Sequence, residues 1–114
     1  RGRRMSRTNL PSEGQHLVQV VQTNLTDIQS SFDAYQQAHF LQRPPKFFAL
    51  ELCGEVGELA NLEKKRWRGT NVDEEHVADE AADVFIALMN FCNARGIQLA
   101  EAVAAKLHRI TPTK

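Results

Sequence analysis

Cysteine is scarce in this 114-residue sequence, which contains only Cys53 and Cys92. The two do not form a CxxC pair or any other metal-binding spacing, and each lies within an apolar helical pattern. The spacing therefore does not indicate a thiolate metal site. We expect two reduced, buried thiols, because free cysteine commonly behaves as a small core residue.

Long apolar runs are also lacking. No segment approaches the ~20 apolar residues of a membrane-spanning helix. The polar stretch 6–15, which follows Met5, has no apolar core of the kind a signal peptide needs. We therefore expect no membrane segment and a cytoplasmic location.

Neither sign of charge dominates the sequence, which has 14 basic and 14 acidic residues. Residues 1–4 read Arg-Gly-Arg-Arg before Met5, which is typical of an expression scar. Without these three arginines, 11 basic residues face 14 acidic ones, a net charge of −3. A nucleic acid polymer is then a poor candidate partner, because its binding depends on neutralising phosphates.

The spacing of apolar residues indicates helices throughout, with no repeat and no convincing strand. We predict an all-α fold, a four- to five-helix bundle in one domain over residues 25–114. Residues 5–24 are expected to form an N-terminal arm, in which 15–22 are ambiguous between a short helix and a strand. A chain this short buries only a modest core, so we expect oligomerisation to complete it.

Local signals set the predicted helix boundaries. Asn24 or Thr26 caps the first helix, Pro45 starts the second, and Asn71 or Asp73 caps the third. The predicted first, second and last helices cover about 25–40, 45–67 and 99–110, and the predicted third helix runs from its cap at Asn71 or Asp73 to about Arg95. Gly54 and Gly57 lie inside the second helix, where each costs about 1 kcal/mol against alanine. We therefore expect another helix or a ligand to approach closely there.

Acidic residues form a stripe on each of two helices. Glu51, Glu55 and Glu58 share one face of the second helix, since residues three and four apart lie together. On the third helix, His76, Glu80 and Asp83 share a face that ends at Asn90. Each stripe lies beside an apolar stripe, so the acids should border the surface where the helices pack. The predicted apolar stripe of the second helix comprises Phe48, Leu52, Val56 and Leu59.

Acids that converge at a helix interface favour a bound cation. Like charges at these spacings are destabilising even in water, and partly dry carboxylates cost far more. Hard oxygen ligands suit Mg²⁺, with Mn²⁺ as a substitute. Such a site can hold a triphosphate and activate a water molecule. The alternative is an ordinary solvated acidic face.

The acid pattern resembles a known family. Glu55-Val-Gly-Glu58-Leu-Ala, followed after a 21-residue spacer by Glu80-Ala-Ala-Asp83-Val, is similar to the MazG-like all-α NTP pyrophosphatases. The resemblance covers about residues 25–110. Residues 49–60, together with Lys106, are most similar to the small dCTP-pyrophosphatase branch. Gly54 replaces the first acid of the EExxE motif, as it does in that branch, and the last helix lacks an Asn and an arginine run found in relatives.

This resemblance implies a Mg²⁺-dependent nucleoside triphosphate pyrophosphohydrolase that cleaves between the α- and β-phosphates. The implied substrate is a (deoxy)nucleoside triphosphate, dCTP-like or another deoxynucleotide, in a nucleotide-pool cleaning role. The products are a monophosphate and pyrophosphate. Homodimers or homotetramers are implied, with active sites that draw on neighbouring subunits. The implied catalytic and metal-binding residues are Glu55, Glu58, Glu80 and Asp83, and Glu51 is a candidate fifth ligand.

Several other residues are candidates for contacting the substrate. The predicted phosphate-binding residues are Lys106, Lys65 and Arg68, and the predicted base or sugar pocket contains Phe47, Trp67, Asn90 and His39. The alternatives are structural. Basic residues at the end of the second helix complement its dipole, and phenylalanine and asparagine also occur as core and satisfied polar residues.

Two other classes of protein remain open. A di-iron carboxylate bundle needs repeated Glu-x-x-His pairs, and only Asp73-x-x-His76 comes near that pattern. A non-catalytic helical interaction module that keeps the fold is the stronger alternative to the enzyme.

Overall fold

The computed structural model describes residues 10–110, which contain four α-helices and no strand. The helices are α1 (Ser12–His39), α2 (Pro45–Trp67), α3 (Glu74–Arg95) and α4 (Leu99–Arg109). The prediction of an all-α fold is confirmed. The predicted expression scar at 1–4 and the first part of the predicted arm, 5–9, lie outside the described residues. No helix in the described part of the chain has the length and apolar character needed to cross a membrane.

Helix α1 begins much earlier than predicted. It starts at Ser12, so the predicted cap at Asn24 or Thr26 is wrong and the ambiguous segment 15–22 is helical. Thr23 Oγ1 donates a 2.7 Å hydrogen bond to the Gln19 carbonyl, and Asn24 Nδ2 donates one of 3.1 Å to the Val20 carbonyl. These bonds to the preceding turn let residues that often cap helices remain inside one.

The chain divides into two compact units, and the described part of the first comprises residues 10–31 and 97–110. Its core contains Leu10, Val18 and Ala104, with Leu107 packed against them. The buried Gln29 amide fastens the start of α4 to α1. Its Nε2 donates to the Ile97 carbonyl at 2.7 Å, and its Oε1 accepts from the Leu99 N–H at 3.0 Å.

The second unit, Phe32–Gly96, contains the hairpin of α2 and α3. Phe48, Ala87, Met89 and Cys92 are its buried apolar residues. Pro45 begins α2 as predicted, and Asp73 caps α3 by accepting a 3.1 Å hydrogen bond from the Glu75 N–H. Gly96 ends α3 with φ 78°, a left-handed conformation that glycine adopts without strain.

One face of α2 is exposed, contrary to three expectations. Cys53 is exposed, not buried, and Val56, predicted in the apolar stripe, is 46% exposed. Nothing lies within 4 Å of a Cβ built on Gly54 or Gly57. Within the part of the chain that the structure describes, no other helix approaches these glycines closely. Gly57 lies on the side of α2 opposite Phe48, the buried residue of this helix.

Candidate functional site

Three of the four predicted acids converge between α2 and α3. Glu55, Glu80 and Asp83 each offer a carboxylate oxygen, and these oxygens all lie within 4.8 Å of one another. Glu80 is buried and the other two are partly buried. The antiparallel hairpin explains the meeting, because it places the middle of α2 opposite the first half of α3. Glu80 and Asp83 are three residues apart and share one face of α3.

The pKa of Glu55 shows the effect of crowding several acids together. Its pKa is raised from 4.5 to about 7, chiefly by loss of hydration and then by the negative charge of Asp83. The charges of Glu80 and Glu58 raise the pKa of Glu55 further. A carboxyl with this pKa is partly protonated at neutral pH, and a positive charge that enters the cluster favours the release of its proton.

The two oxygens of Glu80 have different surroundings. Oε2 lies 3.4 Å from His76 Nε2. Oε1 is buried and has no hydrogen-bond partner among the described residues. Buried carboxylate oxygens are normally paired, so an orphaned one is a site where a cation or a water molecule fits. Three hard oxygen donors suit Mg²⁺, Mn²⁺ or Ca²⁺ without distinguishing among them.

The other two predicted acids lie outside the three-carboxylate cluster. Glu58 is exposed one turn along α2, although its charge contributes to the raised pKa of Glu55. Glu51 is exposed one turn earlier and lines a separate groove.

This groove has a volume of about 700 Å³ and is largely aromatic. It brings together three of the four residues predicted for a base or sugar pocket, namely His39, Phe47 and Asn90. Trp67, the fourth, is 84% exposed at the far end of α2 and does not line the groove. The further aromatic residues of the groove are Phe32, Tyr35, Phe40 and Phe48.

Arg43 is a candidate site residue that the sequence prediction missed. Its Cζ lies 4.7 Å from the centroid of the Phe47 ring, a cation–π contact, and it lines the aromatic groove. It also lines a smaller, polar pocket of about 230 Å³ that shares Gln36, Phe48 and Asn90 with the groove. The sequence feature that could have pointed to Arg43 is its position directly before Pro44-Pro45, at the start of α2.

Two of the three predicted phosphate-binding residues lie away from the cluster. Lys65 and Arg68 are exposed at the end of α2. Lys65 is ten residues from Glu55, about 15 Å along the helix axis. Arg66, which lies between Lys65 and Arg68 in the sequence, forms ion pairs with Glu63 at 3.5 Å and with Glu74. Lys106 is exposed on α4, in the other compact unit.

Comparison of the chain with family models, with curated proteins and with solved structures returned no match. The MazG-like resemblance therefore remains a prediction from the two acid motifs.

Proposed function

We propose that this protein is a divalent-cation-dependent nucleoside triphosphate pyrophosphohydrolase. The observation that carries the proposal is the convergence of Glu55, Glu80 and Asp83 oxygens within 4.8 Å of one another. Oε1 of Glu80, buried and without a hydrogen-bond partner among the described residues, supports it, because a cation fits at such an oxygen.

Glu55, Glu80 and Asp83 would hold the cation, with Mg²⁺ as the first candidate and Mn²⁺ as a substitute. When bound, such a cation supplies Lewis acidity to phosphoryl oxygens and lowers the pKa of a water molecule. Glu58, one turn from Glu55 and exposed to solvent, is available as the further ligand that the resemblance implies. The chain's own contribution is to gather the carboxylates and to keep one of them buried.

The aromatic groove is suited to the nucleoside. Glu51 lines it and lies one helical turn from Glu55, so a ligand in the groove lies near the carboxylate cluster. Phe47 and His39 offer ring faces for stacking, and the buried Asn90 offers both a donor and an acceptor. We propose that base and sugar bind here, so that the triphosphate extends toward Glu55.

Arg43 is the first cationic residue that we propose for contact with the phosphates. Arg43 lines the groove and carries a charge that can pair with an anionic ligand. Lys65 and Arg68 would act by attraction at longer range, and Lys106 is assigned only through the resemblance. The proposed substrates are deoxynucleoside triphosphates, with dCTP-like pyrimidines first, and the proposed role is pool cleaning in the cytoplasm.

Subunit association is part of the same proposal. Large apolar side chains are exposed on the carboxylate hairpin, with Leu50 at 73% and Trp67 at 84%. Exposed apolar surface of this kind is typical of protein–protein contacts. A homodimer or homotetramer would cover it. The same exposed residues favour the alternative function, a non-catalytic helical interaction module.

The decisive experiment measures pyrophosphate release from a panel of canonical and modified deoxynucleoside triphosphates with Mg²⁺. We expect turnover of at least one nucleotide, with a monophosphate as the second product. Glu80→Gln and Asp83→Asn should reduce turnover to background while the helical circular dichroism remains. Asp79→Asn is the matched control, because Asp79 is an exposed acid beside Glu80. If no nucleotide is hydrolysed, the enzymatic proposal is wrong and the interaction module is favoured.

A further inference from the structure

Glu80 is the buried member of the carboxylate cluster, and its two oxygens differ in their surroundings. Glu80 as a whole is 9% exposed. His76 Nε2 lies 3.4 Å from Oε2, whereas Oε1 is buried without a hydrogen-bond partner. A carboxylate that binds a cation through one oxygen commonly needs a donor on the other to fix its rotation.

The backbone of α3 fixes His76 in its place. His76 is in the first turn of the helix, four residues before Glu80, so both side chains lie on one face. The carbonyl of Asp73, the capping residue, accepts hydrogen bonds from the His76 N–H at 3.1 Å and from the Val77 N–H at 3.2 Å. The imidazole is 54% exposed and lies at the solvent edge of the cluster. His76 is therefore anchored through its backbone, while its ring is free to hold Glu80.

We propose that His76 is a positioning residue for the cation site, which holds Oε2 of Glu80 and so leaves Oε1 for the cation. His76 is not itself a ligand in this proposal, since the convergent group among the described residues comprises Glu55, Glu80 and Asp83. The proposal depends on the proposed function only through cation binding, and not through nucleotide hydrolysis. A donor beside Glu80 also offsets part of the repulsion among the three carboxylates.

The test is Mn²⁺ binding to the full chain without nucleotide, measured by isothermal titration calorimetry and by the electron paramagnetic resonance signal of bound Mn²⁺. His76→Ala should weaken binding about tenfold, the size of effect typical for partners of metal ligands. His76→Gln should restore a dissociation constant close to that of the wild type, because the glutamine amide offers a donor at a similar reach. Asp79→Asn is the control, and it should bind Mn²⁺ as the wild type does.

The outcomes separate the positioning role from the proposed function. Unchanged Mn²⁺ binding in His76→Ala, or no rescue in His76→Gln, overturns the positioning role while the cation site stands. Absence of Mn²⁺ binding in the wild type overturns both. If Mn²⁺ binds and the histidine variants behave as expected, but no nucleotide is hydrolysed, the positioning role stands and the enzymatic function fails. Thermal unfolding of each variant shows whether weaker binding follows from loss of structure.

Discussion

Glu55 is the residue whose chemistry most depends on its surroundings. Its pKa of about 7 means that close to half of the molecules carry a protonated Glu55 at neutral pH. Loss of hydration is the first cause, and the nearby acids add to it. A cation has the opposite effect, because its positive charge favours the ionised carboxylate. Cation binding and proton release at Glu55 are therefore linked.

This linkage predicts the pH dependence of cation binding. The folded pKa of Glu55 is raised, so a proton must leave when a cation binds below pH 7 and none need leave above it. Below pH 7, ionisation of Glu55 should raise the association constant for Mn²⁺ by up to about tenfold for each pH unit. Above pH 7, the contribution of Glu55 to the pH dependence should level off. Calorimetric titrations between pH 5.5 and 8.5 would measure it.

The variant Glu55→Gln tests whether the Glu55 carboxyl causes this pH dependence of Mn²⁺ binding. The variant should bind Mn²⁺ more weakly at every pH, and the part of the slope that ends near pH 7 should disappear. A wild-type association constant that does not change between pH 5.5 and 7 would contradict the assignment. The exposed Glu63, on the same helix but at its far end, gives the control variant Glu63→Gln.

At the scale of the element, the α2–α3 hairpin was the part of the fold most open to prediction. Its boundaries depend on single residues with strong local effects, such as Pro45 at a helix start and Gly96 at a helix end. The start of α1 was not predictable in this way. The side chains of Thr23 and Asn24 donate hydrogen bonds to carbonyls of their own helix. The sequence alone does not distinguish this arrangement from helix capping.

The candidate site was predictable in part, for a geometric reason. Periodicity identified two acid stripes beside a helix interface, and Glu55, Glu80 and Asp83 do meet there. Residues three apart are turned by about 60° around a helix axis, so the pair Glu55 and Glu58 need not both face the partner helix. The groove depends on how distant side chains pack, so Arg43 could not be assigned to it from spacing alone.

Two glycines of the hairpin should respond in opposite ways to alanine. Gly96→Ala should destabilise the protein by about 1–2 kcal/mol, because φ 78° is strained for any residue with a Cβ. Gly57→Ala should stabilise the isolated chain by up to about 1 kcal/mol, because it lies inside α2 with nothing within 4 Å of the new methyl.

Chemical denaturation at low protein concentration would measure both changes in the free energy of unfolding. The pair serves as its own control, since the same substitution is made at both sites. A destabilised Gly57→Ala would show that a second surface already covers this face of α2 at that concentration.

At the scale of the whole molecule, large apolar side chains are exposed on α2. Leu50 is 73% exposed on α2, on the same side of the helix as Gly54 and Gly57. An aliphatic side chain beside two glycines allows a second helix to approach closely, at a cost in the stability of the single chain. Self-association would account for residues that weaken the helix on which they lie.

Leu50→Asp should therefore shift the protein toward the monomer. Removing the apolar side chain and adding a charge disfavours any contact that buries this face. Light scattering coupled to size-exclusion chromatography, over a range of concentrations, would give the mass of each species. Gln22→Asp adds the same charge at an exposed polar position of α1 and should leave the mass unchanged. A wild-type protein that is monomeric at every concentration would leave the glycines on α2 without a role in self-association and would favour a different partner for this face.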